Sequence, residues 1–300
     1  MKTLLALVRR EVWEHTAIWL VPAVLSVLLV TVAAIASVKV LGGGVNIMVD
    51  GHGVETDQIF HGLSNLNLAM VVVFGLVMGV VATFYLLDCL LADRKDRSIL
   101  FWKSLPISDL TTVLSKLATA AVLIPLVTVC AAFVTAFMLM VVISVDLLVL
   151  GGSPWDMLWS QVPYFSNLVL VLYAMVVGVL WYLPLMGYLM LVSAFAKRAV
   201  MVWAVLPPLV ISLVEKQFMG SNNFALMLSE RMNGFAPLAF RTDSLESMAD
   251  AIDRGHAGPG LEVINAAPLL QGSGLWLGLV AAGVFIAGAV YLRRYRDESI

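Results

Sequence analysis

The chain has 300 residues, of which 61% are hydrophobic and only 13% are charged. A soluble domain of this size carries about 25% charged residues, so this chain has too little polar surface to cover itself in water, and a mean hydropathy of +0.96 points to bilayer lipid as its solvent. The net charge of -2 says little by itself, because in a membrane protein the location of charge matters more than its sum.

Residues 1–16 read as an amphipathic helix lying in the membrane interface. Leu4, Leu5, Val8 and Val12 recur at helical spacing, with Trp13 suited to the interface, opposite Lys2, Arg9 and Arg10. A hydrocarbon core of about 30 Å needs about 20 apolar residues in a helix, and the first such run is 17–38. Ala34-Ile35-Ala36 resembles a signal-peptide cleavage site, but the run exceeds the roughly 7–15 apolar residues of a signal core and Glu11 and Glu14 sit in the leader. It is read as a retained anchor.

The loop that follows holds His52, Glu55, Asp57 and His61, at a spacing that matches no compact metal site, and is read as solvated. The second span, 66–87, contains Gly75-x-x-x-Gly79 with Thr83 one turn on. Small residues at this spacing let helix backbones approach closely, either within the chain or between two copies of it. Further spans are expected at 117–145, 167–196, 199–214 and 273–292, the last with Gly274-x-x-x-Gly278-x-x-x-Ala282. Pro207-Pro208 predicts a kink or break in the fifth. Cys89 and Cys130 fall in or beside apolar runs and are read as packing residues rather than a disulfide.

Basic residues set the orientation. Lys2, Arg9 and Arg10 precede the first span, Arg94, Lys95, Arg97, Lys103 and Lys116 fill the loop after the second, Lys197 and Arg198 follow the fourth, and Arg293, Arg294 and Arg296 follow the sixth. Short loops rich in Lys and Arg stay in the cytoplasm, so both termini are expected there, in a bacterial inner membrane, with 215–271 on the opposite side. In that outer segment Asp243-Ser244-Leu245-Glu246 fits the start of a capped helix ending near Arg254-Gly255.

No Asp, Glu, Lys, Arg or His lies near the middle of a span, while Asp88 and Asp146 sit at span ends. Intramembrane carboxylates are what proton-coupled carriers depend on, so proton coupling within this chain is not expected. The chain has no Gly-x-x-x-x-Gly-Lys-Ser/Thr phosphate loop and no Gly-x-Ser-x-Gly elbow. Neither a catalytic residue, a cofactor ligand nor a metal ligand is assigned, the chain is read as a non-enzyme, and nothing points to nucleic acid.

The cytoplasmic loop at 92–116 carries the most specific signal. It opens on Asp93-Arg94-Lys95-Asp96-Arg97-Ser98, turns apolar at Ile99-Leu100-Phe101-Trp102, and continues Lys103-Ser104-Leu105-Pro106-Ile107-Ser108 to Lys116. Ser108 is placed to cap the next helix. From the residues alone the loop reads as an interfacial hairpin, in contact with anionic lipid through Arg94, Lys95 and Arg97, or as a docking surface for a cytosolic partner.

The run from Arg94 to Lys116 resembles the coupling region of ABC-2-type transporter permeases, through Ser104-Leu105-Pro106-Ile107-Ser108 and Lys116. Where many members have Gly, this chain has Ser98. The amphipathic leader, six spans and a long outer segment before the last span are similar as well. The resemblance implies an all-α, type V ABC exporter-like membrane fold and a permease exporting a hydrophobic or amphipathic substrate. ATP-Mg would be bound by a separate cytosolic ATPase, in two copies, and the permease would pair with a second copy or paralogue. It assigns the ATPase contact to Arg97, Ser98, Leu100, Phe101, Lys103, Leu105 and Pro106, and Gly75 and Gly79 are the candidates if two permease copies touch. A mechanotransmitter that moves no solute, or a secondary carrier using the broken fifth span as its site, are the alternatives.

Overall fold

The computed structural model describes residues 2–41, 66–95, 108–160, 162–241 and 261–295. The predicted contact residues between 96 and 107, the histidine loop at 52–61 and the capped helix at 243–254 lie outside them.

Ten helices, with a π-helical turn at Trp155–Trp159 and a 3-10 turn at Leu261–Val263, carry the described chain. The leader forms α1 (Lys2–Glu14), and six longer helices follow the predicted spans: α2 (Ala17–Leu41), α3 (Leu66–Lys95), α4 (Asp109–Val149), α5 (Tyr164–Phe195), α6 (Val200–Met219) and α10 (Ser273–Tyr295). Three short helices, α7 (Asn223–Asn233), α8 (Phe235–Ala239) and α9 (Ala267–Gln271), fill the segment before α10. No strand occurs among the described residues, apart from a single isolated bridge between Phe240 and Ile264. The six long helices are each apolar enough to cross a bilayer, which defines a multi-pass α-helical membrane protein.

The helices pack as one bundle. Met78, Leu86 and Leu90 of α3, Val113, Leu117 and Ala120 of α4, and Leu189 and Met190 of α5 form its largest core, with Ile18 and Ala289 closing either side. Gly187 lets α10 press onto α5, since a Cβ there would stand 3.2 Å from Ala282 O. The small-residue repeat of the last span therefore packs within the chain. That of α3 does not: nothing lies within 4 Å of a Cβ built at Gly75 or Gly79, and both face outward.

Three helices differ from expectation, the first only at its far end, since a helix running from the Ser108 cap through Lys116 into the third span was expected. At 41 residues, α4 is about 60 Å long, twice the roughly 30 Å hydrocarbon core. Its first ten residues, capped by the Ser108 side chain on Thr111 N–H, extend beyond the apolar layer. A π-helical turn at Thr119–Leu123 absorbs Pro125, which has no N–H to offer the preceding turn.

The second correction is α6, which continues as helix through Pro207-Pro208 and on to Met219, so 215–219 belongs to the fifth span. The prolines leave the carbonyls of Trp203 and Ala204 without their intrahelical donors. The Tyr188 hydroxyl of α5 supplies one in their place, 3.4 Å from Trp203 O and 2.9 Å from Ala204 O. A neighbouring helix thus meets the freed groups and no break is needed.

Third, the inward face of α1 runs through Leu7 and Glu11, both buried, whereas Val8 and Val12 are half-buried and Trp13 is exposed. Of the two cysteines, Cys89 is buried as expected, but Cys130 faces outward on α4.

Candidate functional site

Where α3 ends and α4 begins, the bundle buries a cluster of charges. Lys116, on the second turn of α4, is 1% exposed, and its Nζ donates to Glu11 Oε1 of α1 at 2.9 Å and to Asp93 Oδ1 of α3 at 3.4 Å. Arg293, in the last turn of α10, reaches the other oxygen of Asp93 through Nη1 at 2.9 Å. Its Nε donates to Asp109 Oδ1 of α4 at 3.3 Å. Arg10 approaches Asp93 at 4.0 Å and pairs with Glu14 one turn along α1. The carboxylates of Glu11, Asp93 and Asp109 thereby face the cations Lys116, Arg293 and Arg10.

Tyr85 adds a second donor to Glu11. Its hydroxyl donates to Glu11 Oε2 at 2.9 Å, and its ring meets the edge of His15, whose Nε2 stands 3.7 Å from the same oxygen. Below the cluster, Ser193 of α5 accepts from the N–H groups of Leu90 and Leu91 at 3.1 and 3.2 Å. Arg94 then clips α3 to the end of α5 through the carbonyls of Ser193 and Ala196.

The local sequence explains the placement. Glu11 follows buried Leu7 by one helical turn, and Lys116 follows buried Val113 by three residues, so each charge sits on the inward face of its own helix. Neither could be buried alone: an unpaired ion in low dielectric costs many kcal/mol, and pairing with further hydrogen bonds offsets that cost.

The arrangement has a mechanical consequence. Asp93 is near the end of α3 and Asp109 and Lys116 are in the first turns of α4, so both roots of residues 96–107 are ion-paired into one buried cluster, together with α1 and α10. A displacement of either root strains the same salt bridges. No grouping of three or more His, Cys, Asp or Glu suited to a metal occurs among the described residues.

Of the residues singled out by sequence, Lys116 is in the cluster, Gly75 and Gly79 face away from the bundle, and Asp88 is exposed. Asp146 accepts a hydrogen bond from Ser37, which joins α4 to α2. Sequence reasoning missed Glu11, Asp93 and Arg293 as partners, because each looks like an ordinary interfacial charge. The available signal was the apolar face on which Glu11 and Lys116 each fall.

Fold and cluster together define the class, a helical bundle of six membrane-length helices with an ionic joint at one end. Comparisons with protein-family models, with curated proteins and with solved structures return no match for this chain.

Proposed function

We propose that the chain is the membrane subunit of an exporter, driven by a separate ATP-hydrolysing protein that docks on residues 96–107. The observation that carries this reading is the ionic joint. Lys116 and Arg293 link Asp93 and Asp109, at the two roots of that segment, to each other and to α1 and α10. Force applied at the loop is then delivered to four helices at once rather than dissipated in a flexible hairpin. The chain has no Gly-x-x-x-x-Gly-Lys-Ser/Thr loop, and on this reading the energy comes from a partner.

On this reading the joint lies on the cytoplasmic side, in line with the gathering of Arg9, Arg10, Arg94, Lys95, Lys197, Arg198, Arg293 and Arg294 at the helix ends. The cargo is hydrophobic or amphipathic. Pairing with a second copy is supported by two faces that one chain leaves uncovered: α6, which has no buried residue, and the Gly75–Gly79 ridge of α3. The carrier alternative loses its feature of interest, since α6 is continuous and offers no unwound backbone at mid-depth.

Deleting Ile99–Lys103 tests the proposal. Transport is expected to stop and the partner's ATP hydrolysis to be lost from the complex as it undocks, with the chain still inserted. Transport that survives the deletion would overturn the coupling role.

A further inference from the structure

At the end of the bundle away from the ionic joint, Arg231 of α7 lies across α5 and α10. Its guanidinium covers the Trp181 ring, 4.3 Å from the ring centre. Nη1 donates to Trp181 O at 3.2 Å and Nη2 to Gly274 O at 2.8 Å. The indole N–H of Trp181 returns a bond to Arg231 O at 2.8 Å. Gly278 is the floor of this seat: a Cβ there would run into Nη2, so a side chain at that position would push the fork off α10. The guanidinium is therefore held in a fixed place and orientation.

What it lacks among the described residues is a counter-charge. The ion pairs found among the described residues all involve other cations, and Arg231 is bonded only to neutral carbonyls. Its remaining N–H groups have no partner among the described residues. Partial burial draws its pKa down from the ordinary arginine value, yet a guanidinium stays charged at any physiological pH. A half-buried cation that meets only carbonyl dipoles and the face of one indole still has no formal counter-charge, and an anion completes it.

Depth indicates which anion. Gly274 and Arg293 are about 28 Å apart along α10 at the roughly 1.5 Å rise of a helix, close to the ~30 Å thickness of a hydrocarbon core. With the ionic joint at one polar boundary, Arg231 stands at the other, at headgroup level. Beginning one turn on from Gly274, Leu277, Val280 and Val284 form an exposed apolar stripe at helical spacing, on the side of α10 turned away from the buried Gly278–Ala282 face.

We propose that Arg231, seated on Trp181 and Gly278, binds the phosphate or carboxylate of an anionic amphiphile whose chain lies along Leu277, Val280 and Val284. The forked guanidinium suits such groups because it presents paired donors. The site needs no ATPase, so it stands or falls apart from the exporter reading. The anion has two possible sources, a resident bilayer lipid or an amphiphile arriving from solution.

The test uses the full chain with one probe for each source. Native mass spectrometry reads phosphatidylglycerol retained after extraction from mixed phosphatidylcholine–phosphatidylglycerol vesicles. Calorimetry reads dodecyl phosphate titrated into protein held in phosphatidylcholine nanodiscs. Arg231→Gln is expected to weaken binding about tenfold or more, the scale of a lost charge-assisted contact. Arg231→Lys should retain part of it, and Gly278→Ala should weaken it with the charge still present. Retention of phosphatidylglycerol alone identifies a resident lipid, binding of dodecyl phosphate alone identifies a mobile amphiphile, and both results support the site. Leu277→Glu, a surface change that leaves the Arg231 seat intact, keeps the test decisive if the Arg231 variants unfold, and should lower the affinity for either probe. The proposal is overturned if these variants bind both probes as the wild type does. It is also overturned if the wild type prefers neither phosphatidylglycerol over phosphatidylcholine nor binds dodecyl phosphate, which would leave Arg231 a purely structural pin.

Discussion

Replacing Lys116 with methionine removes the ammonium at the centre of the ionic joint while keeping most of the apolar stem. Glu11 Oε1 then loses its partner at 2.9 Å, and the carboxylate retains only the Tyr85 hydroxyl and the more distant His15 on its other oxygen. Asp93 is hurt less, because Arg293 still holds it at 2.9 Å. Removing one partner of a buried pair costs about 3–5 kcal/mol, and the surviving Tyr85 bond sets the expectation at the lower end, about 3 kcal/mol, or roughly a hundredfold in an equilibrium constant. The cheapest relief is for α1 to leave α4 and carry Glu11 into water. Leu7, one turn before Glu11, is buried on that face, so a Leu7→Cys thiol reports the detachment. In a Cys130→Ser background, which removes the exposed native thiol, its labelling by a maleimide is expected to speed up about a hundredfold when Lys116→Met is added. Adding Glu11→Gln as well replaces the stranded carboxylate by a neutral amide and should restore most of the protection. A labelling rate indifferent to Lys116→Met, or a double variant no better protected than the single, would refute the claim that this pair holds α1 to the bundle.

Further outcomes follow from other contacts. Tyr188→Phe removes the donor for the Trp203 and Ala204 carbonyls and should destabilise the chain by about 1 kcal/mol in thermal unfolding, with the exchange of α6 amides rising around the proline pair. Gly187→Val drives a side chain into Ala282 O and the Phe285 Cβ; overpacking of this kind costs about 1–3 kcal/mol and should loosen α10 from α5, read by the same unfolding assay. Cysteine placed at Gly75 or Gly79, which face away from the bundle, is expected to crosslink two chains in membranes, and a product confined to single chains would exclude that face from the contact between copies.

The spans were legible because they depend on a bulk property: a run of about 20 apolar residues signals a membrane helix whatever it packs against. The helical leader and the Ser108 cap were equally local, although the face that the leader buries was not. Everything that needed a partner elsewhere in the chain was not. Glu11 and Lys116 are 105 residues apart, and each reads as an interfacial charge until the fold brings them within 2.9 Å. Arg231 stood in a long polar segment with no periodicity to mark it, and only Trp181 and the bare backbone of Gly278 show where it goes. The break expected at Pro207-Pro208 followed correctly from the missing N–H groups, and it was averted by a hydroxyl from Tyr188 on another helix. Packing of the α3 glycines could not be read from their spacing, because the same motif serves one chain or two.

The central claim is that residues 96–107 couple this bundle to a separate ATP-hydrolysing protein. Vanadate-sensitive ATP hydrolysis that accompanies the tagged chain from its native membranes tests it most directly, in the wild type and in the Ile99–Lys103 deletion at equal yields of inserted protein. The account predicts activity with the wild type and its loss with the deletion. Hydrolysis absent from the wild type, or undiminished by the deletion, would contradict it.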